Sequence, residues 1–256
     1  MPENISMNFI PILHGELSTD TRPLRERKLE NGSCFIVTDS NGIFASEEGR
    51  RFLNQIIQPM TLLNRSQLPE EYGSALSIAQ GLLPAWNHRR VDFGNITAPF
   101  ISRRQVTIAT YGQPELVELA HAIAATVGDY YYQCTVRVYS FEEFAMQKLE
   151  PADIWLTNFM LETLTIPAVL DWLTSTSTFN HLPPHESQLR QQMIVQLLNE
   201  SDDSAREHIA DYFHQLTHQR WIIPLFHHWI EYAGENSFTW RDLSMLGWPD
   251  FSQLWL

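Results

Sequence analysis

The stretch 105-QVTIATYGQPELVELAHAIAATVGDYYYQCTVRVYSFEEFAMQKLEPADIWL-156 decides how this chain folds. Gln105 to Tyr111 alternates and is rich in β-branched side chains, the pattern of a strand. Gly112 turns the chain, Pro114 suits a first helical turn, and Leu116, Leu119, Ala120, Ile123, Ala124 and Val127 then recur at helical spacing. Gly128 and Asp129 end that helix, and Tyr132 to Tyr139 returns as a strand. A helix-length crossover between two strands implies parallel pairing. A short helix at Phe141 to Lys148 leads to a third strand, Asp153 to Leu156, so the stretch predicts a βαβαβ unit within an α/β lobe. Ligands of such sheets sit beyond the carboxyl ends of the strands. The candidate ligand-binding residues are therefore Tyr111, Gly112, Ser140, Trp155, Thr157 and Asn158. Trp155 is included because an indole offers one ring face and one polar edge.

Upstream, Phe9, Ile10, Ile12 and Leu13 suggest a short edge strand, and the charged run Arg22 to Glu30 reads as a solvated loop. Cys34 to Thr38 is a strand closed by the turn Asp39-Ser40-Asn41-Gly42. A helix fits Ser46 to Gln58, with Ser46 as N-cap, Glu47 and Glu48 in the first turn, and Pro59 permitting little beyond it. The Gly, Asn and Pro content of residues 84–99 marks the one internal boundary. It divides residues 1–99, the N-terminal part of the lobe, from residues 100–256, its α/β part with a helical segment and an aromatic return.

Downstream, helices fit Ile166 to Leu173, Glu186 to Leu198 and Ser204 to Thr217, the last capped by Asp202 or Asp203. Trp221 to Trp229 reads as a strand whose Pro224 demands an edge position or a bulge. Of the chain's 8 tryptophans, Trp221, Trp229, Trp240, Trp248 and Trp255 lie in the final stretch, which needs a surface to pack against; the sheet of residues 105–156 is the expected one.

Thirty acidic against 17 basic residues give a net charge of −13, which repels a phosphate backbone and argues against a DNA- or RNA-gripping role. The opening MPENISMNFIPILHGE carries no basic region followed by a long apolar run, so nothing in it reads as an export signal. Cys34 and Cys134, both in predicted strands, are expected as reduced thiols. His214 and His218 have ligand-compatible spacing, but HQLTH lacks the glutamate of a zinc-protease helix, and neighbouring His227 and His228 would point to opposite faces of a strand. No phosphate loop, dinucleotide fingerprint or nucleophile elbow occurs, and the adjacent pairs Glu70-Glu71 and Glu142-Glu143 read as solvated surface. The expectation is a non-enzymatic chain without metal or cofactor.

Three segments carry a resemblance: DIWLTNFMLETLTIPAVLDWL (Asp153 to Leu173), RWIIPLFHHWIEYAG (Arg220 to Gly234) and LSMLGWPDFSQLW (Leu243 to Trp255). They resemble the C-terminal portion of the SgrR family of bacterial transcriptional regulators, densest from Gln105 onward and looser through GSCFIVTDSNG (from Gly32) and GLLPAW (Gly81 to Trp86). The family joins a winged-helix DNA-binding domain to a domain similar to oligopeptide- and dipeptide-binding proteins. The resemblance implies one lobe of a type II periplasmic-binding-protein-like fold, a mainly parallel sheet flanked by helices. It further implies cytoplasmic sensing of a small molecule (a sugar phosphate, sugar or short peptide), DNA contact only through a domain absent here, and no membrane partner; a second copy of the chain stays open as a partner. The alternative it leaves open is an extracytoplasmic solute-binding protein of an ABC transporter, or a fragment of one.

Overall fold

A computed structural model of the chain describes residues 8–10, 24–68, 76–79, 81–83, 104–130, 132–145, 149–161, 165–176, 178–197 and 200–233. In chain order the first half contains strands β1 (Asn8–Ile10) and β2 (Leu24–Thr38), helices α1 (Glu47–Ile56) and α2 (Pro59–Arg65), strand β3 (Leu76–Ile78), strand β4 (Gln105–Tyr111) and helix α3 (Pro114–Gly128). The second half contains β5 (Gln133–Tyr139), α4 (Phe141–Ala145), β6 (Ile154–Met160), α5 (Ile166–Ser175), a 3₁₀ turn (Thr178–His181), α6 (Pro184–Leu197), α7 (Asp202–His218) and β7 (Ile222–Ala233).

The strands form one sheet in the order β1-β7-β2-β6-β4-β5, with β3 also on β7. β4 pairs in parallel with β5 from Gln105↔Gln133 to Tyr111↔Tyr139, and with β6 through Ile108↔Ile154 and Ala109↔Trp155. The βαβαβ reading of residues 105–156 is therefore what the chain does. The sheet as a whole is mixed rather than mainly parallel, because β2 joins antiparallel to both β6 and β7, and β1 and β3 join antiparallel to β7. Parallel pairing among the described residues is confined to β4 with β5 and with β6, the strands linked through α3 and α4.

Strand alternation builds two cores. Phe35, Val37, Ala109, Trp155 and Phe159 face one side, under α5, the 3₁₀ turn, α6 and α7. Cys34, Ile36, Val106, Ile108, Ile154 and Leu156 face the other, under α1, α2 and α3. Ser46 caps α1 as expected, its hydroxyl accepting from the Gly49 N–H at 3.0 Å. Pro59 opens α2 at its first turn.

Other expectations are corrected. The charged run read as a loop is strand from Leu24 onward, because β7 pairs with it along its length and pairing overrides local composition. β6 does not close at Leu156: β2 supplies partners as far as Gly32↔Met160. The residue before α7 is Ser201, without a side-chain cap bond, and Asp202 and Asp203 lie in the first turn instead, where carboxylates complement the helix dipole. Pro224 is accommodated by an irregularity, since Phe35 pairs with Pro224 but Cys34 with Phe226.

Cys34 and Cys134 are free, on strands β2 and β5. With β6 and β4 between them the two strands lie about 14 Å apart, too far for a disulfide. Burial raises the Cys34 thiol far above its ordinary value, and burial with the nearby Asp153 charge pushes Cys134 up to about 11, so neither is a ready nucleophile. The boundary at residues 84–99, the Trp229 side chain and the aromatic return beyond Ala233 lie outside the described residues.

Candidate functional site

The carboxyl end of β4 delivers Tyr111, and the strand-to-helix junction after it carries Gln113 at the N-cap position of α3. Gln113 makes no capping bond. Instead its Oε1 accepts from Asn158 Nδ2 at 2.9 Å. The Tyr111 hydroxyl donates to Asn158 Oδ1 and stands 3.1 Å from Gln113 Oε1. Asn158 reaches this place because β6 runs parallel to β4 and continues past its end. Phe144 of α4 packs on the Tyr111 ring, with centroids 5.2 Å apart. Burial raises the Tyr111 phenol well above its ordinary range, so it stays a neutral donor at physiological pH. The result is a half-buried, uncharged patch of one phenol and two amides, each amide able to donate and accept.

The other candidates have different situations. Ser140 is exposed and caps α4: its N–H and hydroxyl reach Glu143 Oε2 at 2.8 and 2.9 Å, and the Glu143 N–H returns to its Oγ at 3.1 Å. That reciprocal pair is a capping box, legible in the sequence as Ser140 and Glu143 at i and i+3. Gly112 is exposed, donates its N–H to Tyr139 O at 2.8 Å, and would give an added Cβ nothing nearer than 3.6 Å, so space does not require glycine there. Thr157 is buried on the core side, its hydroxyl 3.3 Å from Asn158 O. Trp155 is the second residue of β6 and 2 % exposed, facing inward rather than the strand-end loops. The structure thus brings Tyr111 and Asn158 together and adds Gln113 and Phe144, while Trp155, at the start of β6, makes its contact with this group through the Phe144 ring.

Trp155 belongs to a second buried constellation that sequence reading missed. Its Nε1 donates to Asp39 Oδ2 at 2.9 Å, and its ring stacks on His181 with centroids 3.8 Å apart. His181 Nδ1 lies 3.2 Å from the same carboxylate oxygen, and the Asn41 N–H donates to Oδ1 at 2.8 Å. Burial opposes the Asp39 charge, but the hydrogen bonds from His181, Asn41 and Trp155 outweigh it and hold the carboxyl below its ordinary value. A depressed folded pKa stabilises above the unfolded value, near 3.9, and that contribution disappears as pH falls through the folded one. Urea unfolding from pH 7 down to about pH 2 is expected to show this loss in the wild type. Asp39→Asn should start about 1.5 to 3 kcal/mol less stable at pH 7 and lose less on acidification; parallel profiles would contradict it.

Among the described residues no group of three or more His, Cys, Asp and Glu is placed to hold a metal, and no helix is long and apolar enough to cross a membrane. His214 and His218 have ring centroids 6.2 Å apart, while buried His227 meets the Ser33 hydroxyl through Nδ1 at 2.7 Å, a contact that joins β2 to β7.

No protein-family model matches the chain. Its sequence is similar to the HTH-type transcriptional regulator SgrR of Yersinia pestis (strain Pestoides F), 27 % identical over 237 residues, covering 90 % of this chain and 40 % of that protein. It is also similar to the protein of the same name from Salmonella choleraesuis (strain SC-B67), 27 % identical over 252 residues, covering 96 % of this chain and 41 % of the other. The chain spans about 40 % of the length of the curated relatives it matches. Its structure is similar to the Escherichia coli murein tripeptide binding protein MppA, at TM-score 0.63 and 12 % identity over 87 % of this chain and 47 % of that one. It is likewise similar to the ABC transporter substrate-binding protein CtaP of Listeria monocytogenes, at TM-score 0.63 and 12 % identity over 89 % and 50 %. The periplasmic binding protein DppA of Helicobacter pylori, in complex with the peptide STSA, gives TM-score 0.61 and 12 % identity over 81 % and 44 %. The chain carries the α/β fold of about half of a type II periplasmic solute-binding protein, and over 90 % of its length it is similar in sequence to part of the SgrR regulators.

Proposed function

We propose that this chain is a ligand-sensing, solute-binding-like part of a bacterial cytoplasmic transcriptional regulator, acting without catalysis and leaving DNA to a winged-helix domain outside this sequence. The observation that carries the reading is a coincidence of two similarities: regulator in sequence over 90 % of the chain, solute-binding protein in fold. In this reading residues 1–99 and 100–256 contribute to one lobe, and the ligand meets the strand ends at Tyr111, Gly112, Ser140, Thr157 and Asn158, with Gln113 added. Trp155 supports the site from below, through the Phe144 ring 6.4 Å away.

The patch supplies no cation, and although it lies at the N-terminus of α3, the Glu115 charge in that helix's first turn acts on Tyr111, so the phenol and amide groups suit sugar hydroxyls or peptide amides better than a phosphate. Isothermal titration with glucose, glucose 6-phosphate and trialanine tests it. A saturable heat is expected for at least one of them, with affinity falling about tenfold in Asn158→Ala or Tyr111→Phe through the loss of one hydrogen bond. Silence across the three, or binding untouched by both substitutions, would count against the site.

The second reading, an extracytoplasmic transporter component, is favoured by the periplasmic origin of the MppA and DppA neighbours. A signal peptide and adjacent permease genes support it; a winged-helix segment in the same reading frame supports the regulator.

A further inference from the structure

A second polar group lies in the helical layer, away from the strand ends. α6 carries Glu186 in its first turn and Arg190 one turn later, α7 carries Tyr212, and the two helices pack together. Glu186 is 0 % exposed, Tyr212 7 % and Arg190 9 %. Both carboxylate oxygens of Glu186, Nη1 of Arg190 and the Tyr212 hydroxyl are buried without a hydrogen-bond partner. Glu186 and Arg190 stand at i and i+4 on one helix, where a salt bridge is ordinary, yet they do not bond each other. The exposed His185 places Nε2 3.4 Å from Glu186 Oε1, long for a hydrogen bond. The Arg190 guanidinium also lies over the Phe179 ring, 5.0 Å from its centroid. The charges of Arg190 and Glu186 both act on the Tyr212 hydroxyl, in opposite senses, so the three groups share one small region.

A carboxyl group met only by a long contact from an exposed imidazole, and a guanidinium with one buried nitrogen unbonded, are each costly inside an apolar layer, and the cost is offset by a partner of complementary charge and hydrogen-bonding capacity. A simple cation would satisfy Glu186 and leave Arg190 bare; a simple anion would do the reverse. A neutral polyol can hydrogen-bond to both but brings no charge to either. One species matches both at once: a molecule carrying an ammonium and a carboxylate a few ångströms apart. Tyr212 can donate to that carboxylate beside Arg190. The full enclosure of Glu186 limits the guest to a few non-hydrogen atoms and requires α6 and α7 to part for entry.

We propose that Glu186, Arg190 and Tyr212 form a binding site between α6 and α7 for a small zwitterion of the amino-acid class. Its ammonium group lies on Glu186 and its carboxylate on Arg190 and Tyr212. The site is independent of the strand-end reading.

The test follows thermal unfolding of the full chain in glycine, glycinamide (ammonium only), acetate (carboxylate only) and glycerol (neither charge). Glycine is expected to raise Tm saturably, by roughly 5 to 10 °C at a hundredfold excess over Kd, and the other three by less than half as much. Glu186→Gln should abolish the response. Tyr212→Phe, which only removes a buried hydroxyl without a protein partner, should melt no earlier than wild type without glycine and bind glycine several-fold more weakly; it decides the matter if Glu186→Gln does not fold. Equilibrium dialysis with labelled glycine reads binding directly. Any of three outcomes overturns the proposal: no uptake in dialysis together with no Tm response, an equal response to glycerol, or a linear rise shared by both variants, which is the general effect of an excluded osmolyte.

Discussion

Trp155→Ala is expected to cost about 3 to 5 kcal/mol of unfolding free energy, the largest effect of any single replacement considered, and to lower Tm by roughly 6 to 20 °C. The indole is 2 % exposed and lies beneath the 3₁₀ turn, with its ring stacked on His181 at 3.8 Å and on Tyr139 at 6.4 Å between centroids. Alanine removes that packing, leaves a cavity that a sheet on one side and helices on the other cannot collapse into, and takes a donor from Asp39. Trp155→Phe keeps one ring but loses the N–H and part of the buried indole volume, with an expected loss of about 1 to 3 kcal/mol. Urea unfolding of the three proteins checks both. A near-neutral alanine variant would place Trp155 outside the core and return it to the ligand-contacting set.

Asp153→Ala should cost nearly as much, about 2 to 5 kcal/mol, although the site contains no large side chain. Asp153 is 3 % exposed; its Oδ1 accepts from the Ile43 N–H at 3.0 Å and its Oδ2 from the Thr107 N–H at 2.8 Å. Its own N–H donates to Thr107 O at 2.9 Å, and its carbonyl accepts from the Asp39 N–H at 3.1 Å. One residue thus ties the entry of β6 to β4 and to the turn between β2 and α1. Gly42 belongs to the same junction, because a Cβ there would stand 2.9 Å from the Asp153 Cα. Alanine strands two half-buried N–H groups. Asparagine keeps one acceptor but turns an N–H₂ toward a donor, so Asp153→Asn is expected to recover no more than half of the loss, as read by denaturant unfolding. Full recovery by asparagine would contradict the two-acceptor role.

What was legible depended on how far along the chain the information lay. The βαβαβ unit was readable because each element announces itself within a few residues: alternation in QVTIATY, helical spacing in Leu116 to Val127, alternation again in QCTVRVY. The length of β2 was not, since its charged first half is a strand only by pairing with β7, about 200 residues later. The same distance hid the antiparallel half of the sheet. At the strand ends, Tyr111 followed from its position, while Gln113 between Gly112 and Pro114 was not singled out, since glutamine is not among the residues that mark an N-cap. The end of β6 was misplaced, because TNFM continues the strand on a partner that local pattern does not reveal, and Trp155 therefore lies at the start of the strand rather than at its carboxyl end. Asp39 was read correctly as a turn residue, but its bonds to Trp155 and His181 join positions 116 and 142 residues apart. Glu186 and Arg190 look in sequence like an ordinary solvated pair on a helix; only the packing of α7 encloses them.

The central claim, that this fold senses a small ligand at the strand ends, is tested most directly by hydrogen–deuterium exchange of the chain with and without glucose, glucose 6-phosphate and trialanine. The account predicts added protection at residues 111–113, 140–144 and 157–159 with at least one of them, and loss of that protection in Asn158→Ala. No change at those segments with any of the three, or protection confined to α6 and α7, would contradict it.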